Sequence, residues 1–271
     1  MILAHDDDGH GTAVLLLHAG VADRRMWDDL APSLAHAFRV VRPDLRGFGD
    51  SPLPAGAQAG EEYTNAGDLV ALLDAAGIPD AVVVGASFGG KVALELVTTH
   101  PERVRELVLL CPAAPGVPDT PDSDAFDAEE HRLLAAGDVD GAVRLNVDTW
   151  LGPEATPAAA EALAAMQRRA FDVQLAADAA ATDAGHPEPG PRPVPLDDGD
   201  LAAIHVPTHV VAGAHDMDML TACAEHVAAT VPGAELTVLS WAGHLPALER
   251  PDAVQAFLLD VLRDDPAVHA P

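Results

Sequence analysis

The chain is poor in positive charge. Of its 271 residues only 15 are Lys or Arg, against 43 Asp or Glu, for a formal net charge of −28, and Lys91 is its single lysine. Nucleic acids and anionic membranes both need a cationic surface to displace counterions, so neither is expected as a partner. Cysteine is almost as scarce. Cys111 and Cys223 form neither a metal-ligand spacing nor a disulfide framework, which makes reduced thiols the default. No run of about 18 apolar residues is present, and the opening MILAHDDDGHG is acidic where a secretory leader would be basic and then apolar. These absences lead us to expect a soluble cytoplasmic protein.

What the chain does have is enough apolar material, 49% of residues at a mean hydropathy of +0.12, for one substantial core or one core plus a modest insertion. Its most informative stretch is AVVVGASFGGKVALELVTTH, from Ala81 to His100. Val82, Val83 and Val84 belong to a β-branched run suited to a strand buried on both faces. Lys91 to His100 reads as a helix stopped by Pro101. A serine on so sharp a strand-to-helix turn must adopt a strained backbone, which the small neighbours Gly85, Gly89 and Gly90 permit. Ser87 would then stand exposed over the positive end of a helix, as a nucleophile would.

The flanking segments follow an alternating order. Thr12 to Leu17 is a strand, and Met26, Trp27, Leu30 and Leu34 repeat at helical spacing. Phe38 to Val41 is a strand, a helix begins near Thr64 or Asn65 and stops at Gly77, and Val104 to Leu110 is the strand after the Ser87 helix. This order predicts a parallel sheet covered on both faces. From Pro112 to Asp200 only helical stretches occur (125–136, 139–151 and 157–181), followed by the irregular run GHPEPGPRPVP. That segment carries 18 acidic and 5 basic residues, a local charge of −13, best read as a solvated surface. Alternation resumes with strands at His209 to Gly213 and Glu235 to Leu239, and helices at Met219 to Thr230 and Ala253 to Leu262. The tail after Asp265 is expected to fray. We therefore expect an α/β protein with a doubly wound, mostly parallel sheet, its core formed by residues 1–111 and 201–271 and an inserted helical cap by 112–200.

A serine hydroxyl is a weak nucleophile near neutrality and needs a base, which in turn needs an orienting acid. In a parallel sheet the loops after the C-terminal strand ends converge on one edge. Ala214-His215-Asp216 follows one strand and Ser240-Trp241-Ala242-Gly243-His244 follows another, so Ser87, Asp216 and His244 occupy equivalent ends of three strands. Asp218 is the competing acid, better read as capping the next helix, and Asp44 and Asp119 are more distant alternatives. Backbone amides of Phe88 and of Gly20, or else Val21, are the candidate oxyanion donors. Val21, Trp27, Met217, Trp241 and Leu245 are candidate pocket walls. His18, Asp44, Arg46 and Ser51 are read as holding loops together, Cys111 as packed, and neither His215-Asp216 nor Asp6-Asp7-Asp8 as a metal site, for want of third and fourth ligands at sensible spacing.

The pieces LLLHAGVADRRMW, PDLRGFGDS, GASFGG, GAHD and WAGHLPALERP resemble the α/β-hydrolase family over nearly the whole chain, within its capped branch of small-molecule esterases, lactone hydrolases and cofactor-free haloperoxidases. The resemblance implies a serine hydrolase of a small to medium carboxylic ester or lactone, a monomer or homodimer acting on a small-molecule substrate with no metal and no cofactor. Because the nucleophile position is serine and not aspartate, epoxide hydrolase and haloalkane dehalogenase chemistries are disfavoured. Carbon–carbon bond hydrolysis of a diketone-type substrate is the alternative within enzymes, and a non-hydrolytic binding protein or biosynthetic cyclase the alternative outside hydrolases. The family's two leading antiparallel strands are expected here as a few residues around Ile2 and Leu3.

Overall fold

A computed structural model describes residues 1–53, 62–184 and 190–263. Most of the loop leading to Gly60, the first half of the run at 185–195 and the tail after Asp265 lie outside these residues. Seven strands, β1 (His5–Gly9), β2 (Ala13–Leu17), β3 (Arg39–Pro43), β4 (Ala81–Ala86), β5 (Val104–Leu110), β6 (Thr208–Gly213) and β7 (Glu235–Leu239), form one sheet in the order β1-β3-β2-β4-β5-β6-β7. Among the described residues, only β1 runs antiparallel to its neighbour.

Because strand side chains alternate in direction, each central strand supplies both faces. Leu15, Leu17, Val83, Leu107, Leu109 and Val210 join one core layer. Helices α2 (Asn65–Ala75), α3 (Phe88–Thr99) and α8 (Asp218–Thr230) cover that layer. Val14, Leu16, Val82, Val84, Val108 and Leu110 face the other layer, under α1 (Ala31–Leu34) and α10 (Pro251–Arg263). The sheet is therefore doubly wound, as expected. Between β5 and β6 stand α4 (Pro121–Ala135), α5 (Val139–Trp150), α6 (Pro157–Ala184) and the short α7 (Asp198–Ala202), whose Leu201 enters the first core layer. A one-turn α9 (Pro246–Glu249) precedes α10. Among the described residues, no helix is long and apolar enough to cross a membrane.

Two local expectations need correction. The leading strand is not at Ile2 and Leu3 but at His5–Gly9, and its HDDDG sequence has no apolar residue to show a period of two. It is an exposed edge strand, attached by its antiparallel backbone pairing with β3 and by charge. Arg39 of β3 forks onto Asp7 at 2.9 and 2.6 Å, and Arg24 and Arg42 reach Asp6 at 3.2 and 3.3 Å. The guanidinium of Arg39 holds the Asp7 carboxyl below its ordinary value. Second, Met26 to Leu34 is not one helix. A 3₁₀ turn at Arg24–Trp27, capped by the Asp23 side chain, is separated from α1 because Pro32 lacks an N–H and its ring would collide with the preceding turn. The apolar positions are still buried, since both pieces keep Met26, Trp27, Leu30 and Leu34 on the sheet.

His209 on β6 lies 3.3 Å from the buried Glu106 of β5 and 3.8 Å from Glu235 of β7. Hydrogen bonding to Glu106 raises its pKa above the ordinary 6.5. A raised folded pKa gives stability that is complete below the unfolded value and lost as pH rises through the folded one. His209→Ala should therefore lower Tm more at about pH 6 than at about pH 9, measured by thermal melts of both proteins.

Candidate active site

Ser87 closes β4 and caps α3 with φ 52 and ψ −115, a region that non-glycine residues enter at a cost of about 1–3 kcal/mol. Three backbone hydrogen bonds hold it there. Its N–H donates to Leu110 O at 3.0 Å, and its carbonyl accepts from Lys91 N–H and Ala113 N–H, each at 3.1 Å. The turn also needs Gly89 to be bare, because a Cβ there would collide with the carbonyl oxygens of Leu17 and His18 at the end of β2.

The hydroxyl of Ser87 donates to His244 Nε2 at 2.7 Å, and His244 Nδ1–H donates to Asp216 Oδ2 at 2.8 Å. A carboxylate only accepts, so the bond to Asp216 places the imidazole proton on Nδ1 and leaves Nε2 free to take the serine proton. The second Asp216 oxygen accepts from Met217 N–H at 2.7 Å. The side chains of His244 and Asp216 are 3% and 2% exposed, which removes competing water from the pair. Their loops are stitched together by Ala214 N–H to Leu239 O at 3.0 Å and His215 N–H to Ala242 O at 2.9 Å. The series thus presents a hydroxyl whose proton has an acceptor, and an imidazole that would lie beside a carboxylate on taking that proton. The competing acids lie elsewhere. Asp218 is the first residue of α8 and not its cap, and its N–H donates to Asp122 at 3.1 Å. Asp44 is buried under Arg24 and accepts from Asp50 N–H at 2.8 Å, and Asp119 is exposed before α4.

Cys111 lies at the end of β5, wholly buried, at φ 47. Its thiol donates towards Gly243 O at 3.7 Å. Cys111, Asp216 and His244 bring three potential ligand atoms within 4.8 Å of one another. A metal there would have to displace the Nδ1 proton and ionise a thiol that burial, then the charge of Asp216, pushes well up from its ordinary value. The donor set fits a hydrogen-bonded relay better than a metal site.

Gly20 and Phe88 meet across the mouth of the sheet, since a Cβ on Gly20 would lie 3.3 Å from the Phe88 Cβ. The Phe88 N–H is the first of α3 and has no acceptor within its own helix. Trp27 and Leu245 are wholly enclosed in the second core layer, so they are core residues and expose no face to a ligand. Val21 and Met217 are half-buried. Trp241 is half-buried beneath the Arg250 guanidinium, 4.9 Å from the ring centre. A cavity of about 410 Å³ opens beside Asp216, lined by Asp122, Phe126, Leu145, Thr149, His215 and Met217.

His18 donates from Nδ1 to Ala19 O at 2.8 Å and accepts Leu45 N–H on Nε2 at 2.9 Å. Burial lowers its pKa, and with both nitrogens committed it ties the β2 and β3 loops together, as expected. Arg46 forks onto Asp68 at 2.7 and 2.5 Å, and Ser51 accepts Ala4 N–H at 2.9 Å. Two neighbours of the site went unnoticed in the sequence. Trp150 ends α5 with its ring 4.8 Å from the His244 ring and its Nε1–H on Asn146 at 2.8 Å. Glu249 lies buried behind His244. A tryptophan closing an amphipathic helix was the only available signal for the first, and nothing in the spacing marked the second.

A doubly wound sheet with hydroxyl, imidazole and carboxylate in series at its C-terminal edge defines an α/β protein equipped for nucleophilic chemistry. The model of the alpha/beta hydrolase fold matches residues 12–251, and the chain belongs to that family. A pimeloyl-[acyl-carrier protein] methyl ester esterase from Aromatoleum aromaticum is 33% identical over 258 residues, 92% of this chain and 98% of the relative. A 2-hydroxymuconate semialdehyde hydrolase from a Pseudomonas strain is 41% identical over 137 residues, 47% of this chain, and the match spans 48% of that relative's length. Among solved structures, a thermophilic esterase from Thermogutta terrifontis superposes with a TM-score of 0.77 at 29% identity, covering 99% of this chain and 94% of its own.

Gly89→Ala should destabilise the fold by about 1–3 kcal/mol, the usual cost of overpacking. Thermal melts would register this as a fall in Tm of roughly 2–4 °C per kcal/mol.

Proposed function

We propose that the protein is a serine hydrolase that cleaves a small to medium carboxylic ester or lactone through an acyl-enzyme on Ser87. The observation that carries this reading is the continuous series from Ser87 Oγ through His244 to Asp216, at 2.7 and 2.8 Å. His244 takes the hydroxyl proton as Ser87 Oγ bonds to the substrate carbonyl carbon. The tetrahedral oxyanion is held by the amides of Gly20 and Phe88, and Asp216 balances the imidazolium. Collapse breaks the acyl–oxygen bond, and His244 returns the proton to the departing alkoxide. Water then attacks the acyl-enzyme, giving its proton to His244, and Ser87 recovers that proton as the carboxylic acid leaves.

Residues 1–111 and 201–271 serve as the hydrolase core, and the helices inserted between β5 and β6 serve as the lid. Phe126 of α4 packs 4.8 Å from Trp150 of α5, and Trp150 packs on His244, which supports a lid built directly over the base. Met217 and Val21 are the half-buried apolar side chains available to a ligand from the core side. Support for an ester comes from the full-length similarity to a methyl ester esterase. A second reading, hydrolysis of a carbon–carbon bond in a diketone-type substrate by the same three residues, is favoured by the 41% identity to a semialdehyde hydrolase over about half of each chain.

Ser87→Ala and His244→Ala should each lower kcat on p-nitrophenyl butyrate by about 10⁴-fold or more, and a fluorophosphonate should label the native chain but not Ser87→Ala. Activity surviving in Ser87→Ala would overturn the acyl-enzyme. A dienoate ring-fission product turned over faster than any ester would favour the second reading.

A further inference from the structure

The three backbone amides around the base are all committed. Gly243 N–H points between the two carboxylate oxygens of Glu249, at 3.1 and 3.0 Å, and Leu245 N–H donates to the same group at 3.1 Å. His244 N–H donates to Trp150 O at 3.0 Å. The backbone of Gly152, two residues beyond α5, also faces this carboxylate, and a Cβ on Gly152 would fall 2.5 Å from Glu249 Oε2. It is 2% exposed, and among the described residues it has no cationic partner, its neighbour Arg250 being paired with Glu154 at 3.2 Å.

A buried carboxylate without a counter-ion is costly unless its lone pairs are filled. Here the donors are backbone amides from two separate segments. Burial pushes the carboxyl up from its ordinary value, while the amides of Gly243, Gly152 and Leu245 pull it back. A carboxylate provides two oxygens that only accept, which suits three converging N–H groups, whereas a glutamine would turn an NH₂ towards one of them. Gly152 is correspondingly tight, since a Cβ on it would collide with Gly243 N and Glu249 Oε2.

We propose that Glu249 is a positioning residue that fixes the backbone on both sides of His244 and fastens it to Gly152 at the foot of the inserted helices. The inference rests on His244 being the base. Through this clamp, displacement of α5 is transmitted to the imbedded imidazole and alters the Ser87–His244 hydrogen bond. Glu249 touches no substrate, so its loss falls on the chemical step and not on binding.

The experiment compares Glu249→Gln, Glu249→Asp and Gly152→Ala on p-nitrophenyl butyrate, with circular dichroism to establish folding. Glu249→Gln should lower kcat by about 10²-fold, the cost of a small misplacement of a reacting group, with KM held within about twofold. Glu249→Asp, which keeps two accepting oxygens but loses volume, should retain more kcat than the isosteric Gln; a space-filling role predicts the opposite order. The Nδ1–H proton resonance of His244 should shift in Glu249→Gln, a readout that needs no turnover. If Glu249→Gln does not fold, Gly152→Ala decides, with a comparable loss of kcat supporting the clamp and an unchanged kcat overturning it. Activity retained in His244→Ala would remove the base and the role of Glu249 together. An inactive His244→Ala beside a folded Glu249→Gln of native kcat and unshifted resonance would overturn the role of Glu249 alone.

Discussion

The left-handed backbone of Ser87 is the constraint on which the rest of the structure depends. A serine at φ 52 is unfavourable in isolation, so it persists only where its surroundings over-determine it. Its N–H is tied to β5 and its carbonyl receives both α3 and the segment leaving β5. The β2 end presses so closely on Gly89 that no side chain fits. These are contacts between neighbouring parallel strands, β2, β4 and β5, whose register is set by apolar residues buried on both faces. The strain at Ser87 is therefore paid for by the whole central sheet, and the hydroxyl emerges where the first turn of α3 leaves its N–H groups without helical partners.

Parallel winding then determines what can meet that hydroxyl. Each strand delivers its following loop to the same edge, so the chain arrives there from β2 with Gly20, from β4 with Ser87, from β5 with Cys111, from β6 with Asp216 and after β7 with His244. Cys111 repeats the positive φ of Ser87 one strand over, and its amide is held by Val211 O at 2.8 Å. That turn sends the chain away from the sheet into the inserted helices while leaving a small buried side chain behind the Asp216–His244 pair. A larger residue would compete for the space under Gly243, whose carbonyl the thiol faces.

The sheet and the site were legible in the sequence because both rest on local signals that tertiary contacts reinforce. The runs AVVV and VRELVLL mark strands buried on both sides, and the glycines around Ser87, with the short loops ending in Asp216 and His244, follow strands whose direction the alternation already implies. What stayed hidden lacked such a signal. The strand HDDDG shows no apolar period because the backbone ladder and the arginines of β3, not a core, hold it in place. The helical spacing from Met26 to Leu34 reads through Pro32, since burial of those residues survives the break in the helix. Trp27 and Leu245 read as pocket walls because sequence does not separate an apolar side chain facing a cavity from one facing the core. Glu249 was invisible for a related reason: three of its partners are backbone amides, which every residue type carries.

The inserted helices are joined to the C-terminal edge of the sheet by more than proximity. Trp150 supplies a ring to the face of His244 and a carbonyl to its N–H, and Gly152 shares an acceptor with Gly243 and Leu245. Those contacts all come from the last turn of α5 and the two residues after it, and among the described residues no hydrogen bond joins the remainder of α4 to α6 to His244. On the function proposed above, the insertion has a foot bound to the base and a body left to shape the space above it. Residues far along α4 and α6 would then alter which substrate fits without moving the imidazole, whereas the stretch from Trp150 to Gly152 is constrained on one side by packing and on the other by the hydrogen bonds of His244. Under that proposal specificity and base geometry meet in this short segment, where a change in the inserted helices would be felt first at Ser87.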